Sequence, residues 1–189
     1  MNIVILQGHP NTESYCHALA KAYEEGAIAS GAEVEFIDIP TLEFDPILHK
    51  GDHNAQPEEP DLVKAREAIG KADHLVLFWP SWWASMPALT KGFFDRTFIP
   101  GFAFRYDGKQ GEKLLKGKTA SCFVTMDAPC WFYRFFQGAP GSKMVKNGIL
   151  GFCGIKTKGF TYIPQVLKMD QAKREQWLEK VRQAGSKQQ

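Results

Sequence analysis

The fold is decided by the first 31 residues, MNIVILQGHPNTESYCHALAKAYEEGAIASG. Residues 1–7 form an aliphatic run that ends at Gly8, which is typical of a strand buried on both faces of a parallel sheet. From Ser14 the apolar residues repeat at intervals of three and four, as one face of a helix requires. A buried strand, a polar loop and a helix ending near Gly31 together predict the start of an α/β layer fold.

The same alternation of strand and helix continues along the chain. Further strands are predicted over residues 34–39, 74–79, 119–125 and 158–163, and further helices from Asp61, from Pro87, over residues 143–152 and over residues 173–184. Asp61 is expected to cap its helix, Gly185 to end the last helix, and residues 101–117 to be irregular. Because right-handed crossovers make such a sheet parallel, we expect one doubly wound α/β domain over residues 1–189.

Composition excludes several classes of protein. The 189 residues are 44% hydrophobic and 23% charged, which is typical of a globular domain. A formal net charge of +2 gives no field that would collect nucleic acid. The short apolar N-terminus predicts neither a signal peptide nor membrane insertion, and a cytoplasmic location is expected. The cysteines lack metal or disulfide spacing and are expected to be reduced thiols: Cys16, Cys122, Cys130 and Cys153.

Ligands of parallel sheets bind beyond the carboxyl ends of the strands, here the loops after Gln7, Trp79 and Thr125. The first loop brings backbone N–H groups and the Ser14 hydroxyl to a helix start, and His9 is a possible cation, so a phosphate fits. Equally, Ser14 or a neighbouring threonine, Thr12, serves only as the helix cap. Neither a dinucleotide fingerprint nor a phosphate-binding P-loop occurs.

The second loop places Trp79, Trp82 and Trp83 at the mouth of the sheet, where a planar ring system is a natural partner. Packing at the domain rim or at a subunit interface is the alternative. In the third loop, Asp127 is either a ligand contact or a turn residue, and Tyr133 is either a site residue or a rim aromatic.

Metal binding and cysteine chemistry are not favoured. A group that could in principle bind a metal, His49, Asp52 and His53, lies in a loop with no rigid face, so we favour a solvated loop. Cys130 has no local histidine partner and is not expected to be a nucleophile.

Four segments carry a resemblance to a known family. They are Gly8-His9-Pro10 with Ser14-Tyr15, Phe44-Asp45-Pro46-Ile47, Trp79-Pro80 with Trp83 and residues 87–98, and Gly148-Ile149-Leu150 with Phe152-Cys153-Gly154. In these the chain resembles the NAD(P)H quinone oxidoreductases of the flavodoxin-like fold, close to the small bacterial members. The third segment is the most specific, because packing alone does not demand its order of residues.

This resemblance implies a five-stranded sheet of order 2-1-3-4-5 with a flavin at its carboxyl edge. The implied cofactor-binding residues are His9, Ser14, Tyr15 and Cys16 for phosphate, with Pro80, Ser81, Trp82, Trp83, Thr125, Met126 and Asp127 for the isoalloxazine. In the family, NAD(P)H reduces the flavin and is replaced by a quinone or related electrophile, in a ping-pong sequence. FMN is expected because the chain is shorter than the FAD-binding members, and FAD is the alternative.

The chain also departs from the better-known quinone reductases. Trp82 stands where they carry glutamine, Ala84 where they carry phenylalanine, and residues 126–128 where they carry a Thr-Gly-Gly turn. Those enzymes use a tyrosine and a histidine for proton handling. In this chain only the tyrosine has a counterpart, Tyr133, which is the candidate catalytic residue. Two alternative functions remain: a flavodoxin-type electron carrier and an ancillary regulatory subunit of a potassium-efflux transporter.

A homodimer with the active site at its interface is also expected. The resemblance implies that a second subunit covers the open face of the flavin, and the chain has many aromatic residues in loops and irregular stretches. Those expected at the surface are Trp82, Phe102, Phe104, Trp131, Phe132, Phe135 and Phe136.

Overall fold

The computed structural model describes residues 1–49, 51, 56–107 and 110–188. The strands are β1 (Asn2–Gln7), β2 (Glu33–Asp38), β3 (His74–Pro80), β4 (Phe104–Asp107), β5 (Gln110–Lys113), β6 (Thr119–Thr125) and β7 (Lys156–Ile163). Five of them form a parallel sheet in the order β2-β1-β3-β6-β7, and β4 and β5 form a separate antiparallel hairpin. Counted along the chain, the sheet strands follow the order 2-1-3-4-5, so the predicted topology is confirmed.

Helices cover both faces of this sheet. They are α1 (Tyr15–Ala29), α2 (Pro60–Lys71), α3 (Ala88–Thr97), α4 (Pro140–Lys143), α5 (Gly151–Cys153) and α6 (Gln171–Ser186), with π-helical segments over Phe132–Phe136 and Met144–Leu150. One core packs α1 and α6 against the sheet, and the other packs α2, α3 and the helical residues from 140 to 153 against the opposite face. Among the described helices, none combines the length and apolarity that crossing a bilayer requires.

Four local predictions are wrong, those for Asp61, residues 101–117, Phe104 and Gly185. Helix α2 begins at Pro60 with Glu59 as its N-cap, because the Asp61 side chain instead accepts from the Glu43 backbone N–H. Residues expected to be irregular form the β4–β5 hairpin, and Phe104 is buried there because this hairpin packs on the core.

Helix α6 also continues past the expected stop at Gly185. An added Cβ at Gly185 would lie 2.2 Å from the backbone oxygen of Tyr23 on α1. This glycine is therefore the point of closest approach between two packed helices, and its small size serves that contact instead of ending α6.

The sheet places the three predicted loops side by side. Strands β1, β3 and β6 are adjacent and parallel, so their carboxyl ends meet at one edge. Gly8 N–H donates to the Phe78 carbonyl at 2.8 Å, and Ser81 N–H donates to the Thr125 carbonyl at 2.7 Å. These two bonds tie the loop after β1 to β3, and the loop after β3 to β6.

Candidate active site

Residues 8–14, which we call the phosphate loop, lead into the N-terminus of α1. Ser14 caps this helix, with its Oγ accepting from the His17 N–H at 3.2 Å, so the capping alternative is realised. The Ser14 hydroxyl proton is left to donate elsewhere. In the described part of the chain the N–H groups of Tyr15 and Cys16 have no acceptor, and the first turn of α1 carries no acidic residue. This helix end is therefore suited to an anion.

His9 lies in the phosphate loop as a neutral donor. Its Nδ1 accepts from the Asn11 N–H at 3.0 Å, which leaves the ring proton of the neutral imidazole on Nε2. Burial lowers the pKa of His9 from its ordinary value, with a smaller opposing effect from the Asn11 bond. The suggested cationic role is thus not favoured near neutral pH. The His9 ring meets the Trp82 ring edge to face at 5.8 Å, which connects the phosphate loop to the tryptophans.

The side chains of Tyr15 and Cys16 have structural partners. The Tyr15 hydroxyl donates to the Arg174 carbonyl at 2.7 Å, and burial raises the pKa of Tyr15 to about 12. The Cys16 thiol is buried beside Thr125, and burial raises its pKa to about 12. Both residues therefore offer a ligand their backbone N–H groups, not an ionised side chain.

Residues 82–85 of the second loop, which we call the tryptophan turn, form a tight turn that presents Trp83 to solvent. Trp82 and Ser85 exchange two backbone hydrogen bonds of 2.9 Å, which close the turn. The two residues at its tip have positive φ, 51° at Trp83 and 60° at Ala84. Residues other than glycine lose roughly 1–2 kcal/mol in this left-handed region. The Trp83 side chain is nevertheless fully exposed, so nothing within the monomer repays the strain at its position.

Contacts from the third loop and the segment after it hold this turn. The Ala84 carbonyl accepts from the Gly141 N–H at 3.0 Å and from the Tyr133 hydroxyl at 3.4 Å. An added Cβ at Gly141 would lie 2.5 Å from the same carbonyl oxygen. The Tyr133 hydroxyl is buried and also contacts Ser142, whose N–H donates to it at 3.2 Å. Tyr133 therefore positions the turn, and its predicted catalytic role stays a prediction.

The remaining residues of the predicted ring site form the floor and rim of the same edge. Pro80, Thr125 and Met126 are buried, whereas Asp127 is exposed. The Asp127 carboxylate accepts from the Leu167 N–H at 2.9 Å, which fits its alternative role as a turn residue.

Of the disfavoured metal group, His49 lies within the described residues. His49 pairs with Asp45 at 2.7 Å, and the other two residues of the rejected metal group, Asp52 and His53, lie outside the described residues.

Three further residues at this edge were not predicted from the sequence: Gln7, Asp38 and His17. Gln7 is fully buried, and its side chain bonds both the backbone of His9 and the Asp38 carboxylate. Asp38 in turn pairs with His17 at 3.2 Å. A polar residue at the end of an otherwise aliphatic strand is the signal that points to Gln7, since buried amides need partners.

Comparison with known proteins gives the family. Residues 1–184 match the family model described as a flavodoxin-like fold. An uncharacterised NAD(P)H oxidoreductase of Haemophilus influenzae is 32% identical over 187 residues, covering 95% of this chain and 91% of the relative. The chain therefore belongs to the flavodoxin-like fold family, as its sequence motifs predict.

Solved structures agree with this assignment. The Smu.1420 protein of Streptococcus mutans UA159 has a TM-score of 0.85 and 30% identity, covering 99% of this chain and 100% of that one. An NAD(P)H:quinone oxidoreductase of Methanothermobacter marburgensis has a TM-score of 0.81 and 25% identity, covering 100% and 96%. With the Haemophilus relative, this likeness confirms the predicted class, an oxidoreductase.

Proposed function

We propose that this protein binds one flavin per chain and transfers two electrons from NAD(P)H to a quinone or a related small electrophile. The observation that carries this proposal is the meeting of a helix end suited to an anion with an exposed tryptophan turn at one edge of the sheet. The named relatives, NAD(P)H oxidoreductases and a quinone oxidoreductase, support the choice of donor and acceptor.

The residues present fit the phosphate of a flavin mononucleotide. The free N–H groups of Tyr15 and Cys16, the Ser14 hydroxyl proton and the His9 Nε2–H supply several donors without requiring a charged side chain. Hydrogen bonds from a helix N-terminus favour a dianion over neutral ligands. FMN is the form we propose, and FAD is the alternative.

The residues of the tryptophan turn fit a planar ring. Trp83 is exposed and held in one backbone conformation, and the buried residues Pro80, Thr125 and Met126 lie at the ends of the adjacent strands β3 and β6, at the same edge of the sheet. A bound flavin supplies the redox chemistry, since its ring exchanges a hydride equivalent with nicotinamide and electrons with an acceptor. The chain's own task is to orient the ring, exclude water from it and keep one stacking face accessible.

A homodimer accounts for the exposed aromatic residues. Trp131, Phe132, Phe135 and Phe136 are exposed on one helical segment, and the rings of Phe132 and Phe136 stack with centroids 5.7 Å apart. Surfaces of this kind are typical of interfaces, and a second copy of the chain is the proposed cover. The four cysteines are all free, which accords with the proposed cytoplasmic location.

Titration of the purified protein with FMN, FAD and riboflavin tests the cofactor. Saturable quenching of flavin fluorescence at one flavin per chain is expected, with FMN bound more tightly than riboflavin. Failure to bind any of the three would overturn the proposed function.

Steady-state kinetics test the shared site. Initial rates with varied NAD(P)H at several quinone concentrations should give parallel double-reciprocal lines, because donor and acceptor occupy one stacking surface in turn. Intersecting lines would contradict the shared site. Flavin binding without any quinone turnover would favour an electron carrier instead.

A further inference from the structure

Gln7 is a buried amide at the base of the phosphate loop. Its Oε1 accepts from the His9 N–H, and its Nε2 donates to the His9 carbonyl at 3.1 Å and to Asp38 Oδ1 at 2.9 Å. Both amide protons and the amide oxygen therefore take part in hydrogen bonds, and Gln7 has no solvent exposure. A fully satisfied buried amide of this kind restricts the backbone that it grips.

Asp38 determines which way the Gln7 amide faces. An ionised carboxylate only accepts hydrogen bonds, so the amide nitrogen must face Asp38 and the amide oxygen must face the His9 N–H. Asp38 is itself held by His17 Nε2 at 3.2 Å. His17 also donates its backbone N–H to Ser14 Oγ, so this network reaches both ends of the phosphate loop.

Other contacts tie the backbone at the start of the loop to the rest of the fold. The Thr90 hydroxyl donates to the Gly8 carbonyl at 2.6 Å, and the Gly8 N–H donates to the Phe78 carbonyl. Removing the Gln7 amide therefore leaves Gly8 attached to the sheet but releases the backbone of His9.

We infer that Gln7 is the positioning residue of the phosphate loop, with Asp38 and His17 fixing the direction of its amide. The inference rests on the proposed function and deepens it, since it concerns how the flavin phosphate is held. A loop fixed before binding loses less conformational freedom when the ligand arrives. The network bonds the backbone of the phosphate loop directly and reaches the tryptophan turn only through the edge-to-face contact of the His9 and Trp82 rings, so it should strengthen binding of the phosphate more than binding of the ring.

Riboflavin and FMN separate these two contributions, because they differ only in the phosphate. Dissociation constants for both are measured by fluorescence titration in the wild type and in Gln7→Met, which keeps the side-chain length but loses the amide. Thr97→Val is the control, since it removes a buried side-chain hydrogen bond, from the Thr97 hydroxyl to the Phe93 carbonyl, that lies outside the phosphate loop and its network. Thermal melting checks that each variant is folded.

The expected result is a roughly tenfold or larger loss of FMN affinity in Gln7→Met, with riboflavin affinity changed less than threefold and Thr97→Val unchanged for both. Asp38→Asn should give a smaller loss, again larger for FMN than for riboflavin, because the asparagine amide no longer dictates one orientation of the Gln7 amide. It also supplies the comparison if Gln7→Met does not fold.

Equal losses for FMN and riboflavin, or no loss in either Gln7→Met or Asp38→Asn, would overturn this inference while leaving the proposed function standing. A wild type that binds FMN no better than riboflavin would overturn the inference as well. A wild type that binds neither would overturn the proposed function and the inference together.

Discussion

Replacing Trp83 should separate stability from ligand binding. Its side chain is fully exposed and its φ is 51°. In the free monomer this residue therefore adds backbone strain and buries no apolar surface that would stabilise the fold. Trp83→Ala keeps the strained conformation and loses only exposed surface, and its unfolding free energy should stay within about 0.5 kcal/mol of wild type. Trp83→Gly relieves roughly 1–2 kcal/mol of left-handed strain but adds roughly 0.5–1 kcal/mol of unfolded-state entropy.

The glycine variant should therefore be more stable than the alanine variant, by up to about 1.5 kcal/mol. Both variants should bind FMN more weakly by roughly 1–3 kcal/mol, the scale of a lost aromatic contact. Urea unfolding monitored by circular dichroism gives the stability difference, and flavin titration gives the affinity. The measurements are made over a range of protein concentrations, so that any association of subunits is detected.

Two results would refute this reasoning. If Trp83→Ala lost more than about 1 kcal/mol in dilute, ligand-free protein, Trp83 would be buried in solution. If Trp83→Gly were less stable than Trp83→Ala, the strain at the positive φ would be smaller than the entropy cost of glycine, and the assigned strain of roughly 1–2 kcal/mol would be wrong.

Three further predictions concern assembly and folding. Light scattering should give twice the chain mass, and charged residues in place of both Phe132 and Phe136 should yield monomers with reduced turnover; a fully active wild-type monomer would contradict the shared interface. Burial, with a smaller effect from Lys158, lowers the pKa of His74 to about 4. As pH falls below about 6.5, His74 therefore binds a proton in the unfolded chain before it does so in the folded protein. Unfolding free energy should accordingly fall by up to roughly 3 kcal/mol between pH 7 and pH 4, and His74→Leu should flatten this dependence in denaturant titrations. Gly185→Ala should reduce unfolding free energy by about 1–3 kcal/mol, because its Cβ would meet the backbone of α1, and an unchanged urea midpoint would count against that contact.

The regular part of the fold and the position of the site were accessible from local patterns. The aliphatic run ending at Gly8 and the helical repeat after Ser14 define one strand, one loop and one helix without reference to distant residues. Repetition of that unit predicts a parallel sheet, and parallel strands place their following loops at one edge. The strand order itself came from the family resemblance, which rests mainly on the segment around Trp83.

What the local patterns missed depends on residues far apart in the chain. Gly185 looked like a helix end because its partner, the backbone of α1, lies more than 150 positions away.

The site shows the same division. The sequence by itself determined that a polar helix start and a tryptophan loop share one edge of a sheet, because period and strand direction are local properties. Only the tertiary structure decided that Gln7 hydrogen-bonds both the backbone of His9 and the Asp38 carboxylate. It also decided that the tip of the tryptophan turn is strained, with Trp83 exposed. Hydrogen-bond partners and backbone strain are set by which distant groups the packed core brings within about 3 Å, and no local pattern encodes that distance.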